Sequence, residues 1–271
     1  MTQTLIVIPA RYHSQRFPGK PLTQLAGKSM LHWVFDSAQQ AAYTLNSNPT
    51  SHTQVVIATE DARIVEHAQS FGANALLTPD TCLNGTDRAL VAAQQLQPKP
   101  DYVVNFQGDS PLTPASLLVN LITQLHANDH WQVATPIMPL TWQALDLLRV
   151  NKKTTPFSGT TATIQADGKA LWFSKNIIPA IRNEEKLRHN LFSPVFAHVG
   201  LYAYRFDTLY RFVNLPEGQY EKLEGLEQLR LLENAIPIHT IPVDPNSPPM
   251  LGVDTPEDAQ RVNDYLLAKG S

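Results

Sequence analysis

Leu5-Ile6-Val7-Ile8 runs directly into Pro9-Ala10-Arg11-Tyr12-His13-Ser14-Gln15-Arg16-Phe17-Pro18-Gly19-Lys20-Pro21-Leu22. The apolar run has the length and composition of a buried strand. Arg11, Arg16 and Lys20 follow it on a path stiffened by proline and turned by glycine. In an open α/β sheet, ligands bind in the crevice beyond the carboxyl ends of the strands. A stiff cationic loop placed there suits a polyanion, and a nucleoside triphosphate is the expected one. A merely solvated basic loop is the alternative. The prolines and the position after the first strand weigh against it.

Composition narrows the class. A chain of 271 residues with 43% hydrophobic and 17% charged residues can build a large core without covalent staples. A net charge of −3 argues against a general nucleic-acid binder, which needs a basic face. A single cysteine, Cys82, excludes an internal disulfide and a cysteine-based zinc cluster. No apolar stretch approaches membrane-span length, and the N-terminus lacks the basic start and long apolar core of a signal peptide. No membrane insertion and a cytoplasmic location are therefore expected. Asn84-Gly85-Thr86 matches a glycosylation sequon, which matters only in a secreted protein.

Strand and helix signals alternate through the first half. Met30, Leu31, Val34, Phe35, Ala38, Ala41 and Ala42 recur at helical spacing behind Ser29, a suitable N-cap. A polar loop over 44–53 and a buried strand over 55–59 follow. A helix over 61–71 is stopped by Gly72. The pattern then predicts a helix over 86–96, a strand over 102–106 and a helix opening at Pro114. This order implies an α/β, Rossmann-like architecture with a mostly parallel twisted sheet flanked by helices. In the second half, segments 160–164 and 170–173 flank Ala166-Asp167-Gly168, the turn of an inserted hairpin. A strand over 198–204 is expected next. An amphipathic helix over 220–234 follows, with Leu223, Leu226, Leu229 and Leu232 on its apolar face. Thr255-Pro256-Glu257-Asp258 opens a last helix. The hairpin reads as decoration on one domain spanning 1–271.

Two acidic motifs stand near helix starts. Gln107-Gly108-Asp109-Ser110-Pro111-Leu112 follows the third strand, on the sheet edge that carries the basic loop. Gly252-Val253-Asp254-Thr255-Pro256 precedes the last helix. Asp109 alone reads equally as a turn aspartate capping the next helix. If the fold brings them together beside a triphosphate, their repulsion calls for Mg²⁺, which takes one or two carboxylates plus phosphate oxygens and water. Leu25-Ala26-Gly27-Lys28-Ser29 ends like a P-loop, but Leu22 stands where its first glycine belongs. The first strand carries no dinucleotide fingerprint, and the chain has no nucleophile elbow. Gly85-Thr86-Asp87-Arg88 fits either a nucleotide-facing helix start or an ordinary capped one. His198 reads as a satisfied strand histidine, Glu227-Gln228 as a solvated face, and Trp33, Trp131, Trp142 and Trp172 as packing residues.

Seven segments, in order, resemble the CMP-KDO synthetases, cytidylyltransferases that activate 3-deoxy-manno-octulosonate with CTP. They are IPARYHSQRFPGKPL at 8–22, GTDRA at 85–89, VVNFQGDSPL at 103–112, ALWFSKNIIP at 170–179, HVGLYAYR at 198–205, LEGLEQLR at 223–230 and GVDTPED at 252–258. The resemblance implies a GT-A-like nucleotidyltransferase fold, a homodimer, and Mg²⁺ held by Asp109 and Asp254. It implies a nucleotide site of Pro9, Ala10, Arg11, Arg16, Lys20, Gly85 and Arg88, with Lys20, Arg11 and Asp109 as the catalytic set. Gln107, Lys175, His198, Tyr202, Glu227 and Gln228 would face the sugar acid. The implied partners are CTP and a small acidic sugar, with the product used for lipopolysaccharide or capsule.

Four positions depart from the family pattern. Lys175 stands for the usual arginine and Ala197 for a basic residue. Thr161 stands for a lysine, and Ser110 for the glutamate of GDEP. Each change removes a charge or makes it less directional. Several lie toward the sugar side, which leaves an amino-substituted or otherwise related octulosonate open as substrate. A nucleotidyltransferase for another acidic or phosphorylated sugar is the nearest rival. A catalytically silent nucleotide-binding paralogue is the other, and retention of Lys20, Asp109 and Asp254 argues against it.

Overall fold

The computed structural model describes residues 1–13, 17–244, 247–248, 250 and 252–270. The chain divides into two compact units: Met1–Thr123 with Ala203–Val213 and Pro248–Ser271, and Gln124–Tyr202 with Asn214–Ser247.

In the first unit, β1 (Thr2–Pro9) buries Leu5, Ile6, Val7 and Ile8 almost completely. A 3₁₀ turn at Lys20–Leu22 leads to a short hairpin of β2 (Gln24–Leu25) and β3 (Lys28–Ser29). The α1 helix (Met30–Leu45) starts where Ser29 accepts the His32 N–H, and the residues with helical spacing are all buried. The strand β4 (Ser51–Thr59) begins earlier than the polar composition implies. Asn46 explains this. Its side chain accepts the Thr53 N–H (2.6 Å) and donates to the Thr53 carbonyl (3.0 Å), so the expected 44–53 loop closes after a few residues.

Asp61 caps α2 (Ala62–Ser70), and Gly72 adopts φ +80° just beyond it. The unit continues with β5 (Ala75–Leu77), then α3 (Gly85–Gln95) capped by Asn84, then β6 (Tyr102–Phe106). Next, α4 (Ala115–Ala127) starts one residue after Pro114.

The strands run in the order β5-β4-β1-β6, all parallel. Ile8 pairs with Ile57, Pro9 with Ala58, and Val7 with Asn105. This register releases three segments at one sheet edge: Ala10-Arg11, Glu60-Asp61 and Gln107-Gly108-Asp109. The approach there is close, because a Cβ on Gly108 would lie 2.8 Å from the Pro9 carbonyl oxygen. Gly108→Ala must therefore push two backbones apart. We expect a loss of about 1–3 kcal/mol in stability, read from the denaturant midpoint. An unchanged midpoint would mean that these backbones separate freely.

The second unit holds β7 (Val133–Thr141), α5 (Trp142–Asn151), and the antiparallel hairpin β8 (Thr161–Ile164) with β9 (Ala170–Ser174). Gly168 turns the hairpin at φ +84°, as the Asp-Gly pair predicts. The segment expected as one strand over 198–204 is two, β10 (Phe192–His198) and β11 (Leu201–Arg205). Val199 and Gly200 separate them, and the last three residues of β11 belong to the first unit with α6 (Phe206–Val213).

The helix expected over 220–234 is also divided, into α7 (Gln219–Glu224) and α8 (Gln228–Glu233). Gly225 ends α7 in the left-handed region (φ +62°), so Leu223 is exposed while Leu226 and Leu229 are buried. Then β12 (Ile238–Pro242) pairs parallel with β7, while β7-β10-β8-β9 are antiparallel neighbours. Finally, α9 (Pro256–Lys269) returns to the first unit, with Thr255 and Asp258 forming a capping box. The fold is a mixed sheet of parallel and antiparallel strands flanked by helices.

Candidate active site

An open cleft of about 580 Å³ lies at the carboxyl edge of the first unit's sheet. That volume suits a small-molecule ligand. Pro9, Ala10 and Arg11 line it from the end of β1, Lys20 and Pro21 from the 3₁₀ turn. Gly85 contributes from the start of α3, and Gln107, Gly108 and Asp109 from the end of β6. The loop between Arg11 and Lys20 is closed at its base by Gly19 N–H donating to the Tyr12 carbonyl (2.9 Å), with Gly19 at φ +71°. Arg11 is exposed and donates to the Leu83 carbonyl at 3.1 Å. Arg16 lies outside the described residues. Gln107 donates to Asn105 (3.2 Å), which donates to the Thr86 hydroxyl (3.0 Å), so a polar chain joins the end of β6 to the start of α3.

The two distant aspartates meet at Lys20. Its ammonium donates to Asp109 Oδ2 at 2.8 Å and to the Val253 carbonyl at 2.7 Å, and stands 3.7 Å from Asp254 Oδ1. A backbone bond explains the convergence, because the Val253 N–H donates to the Asp109 carbonyl at 2.9 Å. Val253 is wholly buried among Leu25, Met30, Leu112, Ala259, Val262 and Leu266. Burying such a side chain contributes roughly 1.5–3 kcal/mol. That anchor sets Asp254 beside Asp109.

Arg88 is placed differently from a pocket-lining cation. Its side chain is 1% exposed, its guanidinium pairs with Glu60 Oε2 at 2.8 Å, and it donates to the Thr78 hydroxyl. The residue therefore ties the start of α3 to the segment after β4. Composition could not reveal this, since Glu60 comes from another element. The rule that segments after parallel strands share one edge was the available signal for Glu60.

The remaining residues expected near the sugar lie in the second unit, apart from Gln107. His198 stacks edge-on against Phe173 (centroids 4.9 Å apart) and packs beside Tyr202 at 5.3 Å. The Thr135 hydroxyl donates to the Leu201 carbonyl at 2.8 Å and lies 3.0 Å from His198 Nε2. With that hydroxyl proton directed at Leu201, His198 donates from Nε2 and keeps Nδ1 as an acceptor. The residue as a whole is half-buried, and burial of the imidazole with the nearby Lys175 charge pushes its pKa down to about 3. The neutral imidazole is the working form near pH 7.

Burial, with the Glu227 carboxylate, raises the Tyr202 phenol well above its ordinary range. Lys175, His198, Tyr202 and Glu227 thus form one electrostatically linked cluster. Gln228 is buried beside it in sequence, and its Nε2 has no hydrogen-bond partner among the described residues. Thr135 was not anticipated, because a lone threonine in a strand carries no signal.

The depressed His198 pKa has a pH consequence. Above pH 6.5 the imidazole is neutral in both folded and unfolded chains, so it contributes nothing. As pH falls from 6.5 toward about 3, the unfolded chain takes up the proton first, and folded stability is lost. His198→Gln should therefore show a smaller drop in melting temperature than wild type between pH 7 and pH 4. Parallel pH curves would contradict the buried neutral histidine.

An α/β sheet that presents a cationic loop and a carboxylate pair around one cleft belongs to the nucleotidyltransferase class. A family model described as cytidylyltransferase matches residues 5–238. The 3-deoxy-manno-octulosonate cytidylyltransferase of Maricaulis maris is 40% identical over 98% of both chains. That of Chlamydia pneumoniae is 34% identical, over 96% of this chain and 92% of its own. A solved CMP:2-keto-3-deoxy-manno-octonic acid synthetase complexed with CTP superposes with a TM-score of 0.84 at 32% identity, covering 99% of this chain and 100% of that one. The chain belongs to the 3-deoxy-manno-octulosonate cytidylyltransferase family. Among the described residues no helix is long and apolar enough to cross a membrane.

Proposed function

We propose that the protein transfers the CMP group of CTP to 3-deoxy-manno-octulosonate and releases pyrophosphate. The observation that carries this reading is the Asp109–Lys20–Asp254 arrangement at a cleft walled by Pro9, Ala10, Arg11 and Gly85. The anomeric hydroxyl oxygen of the sugar acid bonds to the α-phosphorus and gives its proton to solvent. The bond from that phosphorus to the bridging oxygen breaks, and pyrophosphate leaves. Such transfers need little covalent work from the protein; positioning and charge stabilisation supply the acceleration. Lys20 neutralises charge on the α-phosphoryl oxygens. Arg11 and Arg16 receive the leaving pyrophosphate, with Arg11 released from its carbonyl partner. Arg88 acts from behind, holding the start of α3 so that Gly85 faces the nucleotide.

Asp109 and Asp254 are the proposed holders of Mg²⁺. The donor set fits, since two hard carboxylates already share one cation in the form of the Lys20 ammonium. When bound, the ion offsets phosphate charge. We place Gln107, Lys175, His198, Tyr202, Glu227 and Gln228 on the sugar acid. The protein works as a homodimer in the cytoplasm and feeds lipopolysaccharide or capsule assembly.

A second substrate is favoured by one observation. The substitutions in the second unit are neighbours: Ala197 pairs with Thr161, and Thr161 pairs with Ser174, next to Lys175. The Thr161 hydroxyl is occupied by the Asn176 carbonyl (2.7 Å) and the Ile178 N–H (3.0 Å), where the family pattern has an ammonium. A patch with fewer cations tolerates an amino-substituted octulosonate. Incubation with CTP, Mg²⁺ and each sugar, with mass detection of the CMP-sugar, tests both readings. CMP-octulosonate formation supports the first. Preference for the amino sugar replaces it with the second, and no product from either overturns both.

A further inference from the structure

We propose that Glu224, which belongs to none of the sets above, is a positioning residue that presents Lys175 to the sugar acid, with Lys152 as its counterpart on the other side of the same residue. This rests on the reading that Lys175 faces the sugar. Glu224 is the last residue of α7, immediately before Gly225 turns the chain toward Glu227 and Gln228. One carboxylate oxygen accepts the Ser174 hydroxyl at 2.8 Å, and the other accepts the Lys175 backbone N–H at 2.7 Å. Ser174 is 3% exposed and in turn accepts the Asn176 N–H at 2.9 Å. A single acid thus joins the end of β9 to the α7–α8 turn, and both stretches carry residues assigned to the sugar.

The carbonyl of Lys175 is held as well. Lys152 Nζ donates to it at 2.5 Å and gathers the carbonyls of Pro156 (3.2 Å), Ser158 (2.6 Å) and Gly159 (3.1 Å). The N–H and C=O of Lys175 are therefore each fixed by an ion of opposite sign, one from α7 and one from the residue capping α5. A lysine reaches its target through a flexible four-carbon stem. Fixing both backbone groups removes the main-chain contribution to that flexibility. Glu224 also places a negative charge near the two ammonium groups, which repel each other.

The test compares Glu224→Gln, Ser174→Ala and Lys175→Met, using CTP, Mg²⁺ and 3-deoxy-manno-octulosonate. Gln keeps the size of the side chain but loses one acceptor, and Ser174→Ala removes one of the two contacts. Glu224→Gln is expected to raise the sugar KM by about tenfold or more, with the CTP KM within twofold and kcat little changed. Ser174→Ala should move the sugar KM in the same direction by less. If Lys175→Met raises the sugar KM while Glu224→Gln and Ser174→Ala leave it at the wild-type value, the positioning role is overturned and the sugar assignment stands. If Lys175→Met leaves the sugar KM unmoved, the sugar assignment itself fails and this inference falls with it. A Glu224→Gln protein with a lower melting temperature and equal rises in both KM values marks a merely structural residue. Should Glu224→Gln fail to fold, Ser174→Ala decides between these outcomes.

Discussion

Lys20→Met is expected to cut turnover of CTP with 3-deoxy-manno-octulosonate by about a thousandfold, measured as pyrophosphate release. The ammonium is held by Asp109 and the Val253 carbonyl and faces Asp254, with only 17% of the side chain exposed. Gly19 at φ +71° and the buried Pro21 fix the backbone on either side, so the stem has one approach to the cleft. Methionine fills the same volume without charge. Two carboxylates then face the incoming triphosphate with one cation fewer. Each uncompensated pair at 4 Å opposes binding by ~1 kcal/mol in water and ~4 kcal/mol near a protein surface. A factor of ten corresponds to about 1.36 kcal/mol, so a lost attraction and an exposed repulsion together reach three decades. Arginine should not restore the rate. Its planar fork cannot replace a compact ammonium gripped by two carboxylates and a carbonyl. A methionine variant within tenfold of wild type would remove Lys20 from the chemistry.

The features legible in the sequence were those with local causes. Ser29, Asp61 and Thr255 cap helices because a short polar side chain reaches the N–H groups next to it. Leu5 to Ile8 and Tyr102 to Phe106 read as buried strands because parallel strands covered on both faces are continuously apolar. What escaped depends on partners far away in sequence. Gly225 sits inside an apolar repeat that continues across it and hides its local stop signal, a left-handed turn at φ +62° that leaves Leu226 and Leu229 buried. At the break over Val199-Gly200 the Thr135 hydroxyl, 63 or more positions away in sequence, donates to the Leu201 carbonyl. Arg88 read equally as a phosphate ligand or a helix-start residue until Glu60 supplied its counter-ion. That Asp109 and Asp254 meet was implied by the family resemblance alone; charge argued only for Mg²⁺ if they did. The cause of their meeting, a backbone bond from Val253 and the burial of that valine, leaves no trace in residue type.

That backbone bond makes the aspartates separable from the fold. Asp109→Asn and Asp254→Asn each keep side-chain shape, leave the Val253 N–H on the Asp109 carbonyl, and remove one unit of charge. Each is expected to lower turnover by about two to three orders of magnitude, with the melting temperature within a few degrees of wild type. The double variant should cost little more than the worse single one, because groups that act as a unit are not additive. A product of the two single effects would instead mean that the acids act independently. Asp254 is the sharper test, since its side chain is 58% exposed and it also precedes the positive end of α9. A turn acid with no chemical duty would lose at most a few tenths of a kcal/mol to 1 kcal/mol of helix-dipole interaction, and turnover would hardly change. Near-normal activity of Asp254→Asn beside an inactive Asp109→Asn would reduce Asp254 to that role and leave Asp109 as the sole carboxylate partner of Lys20.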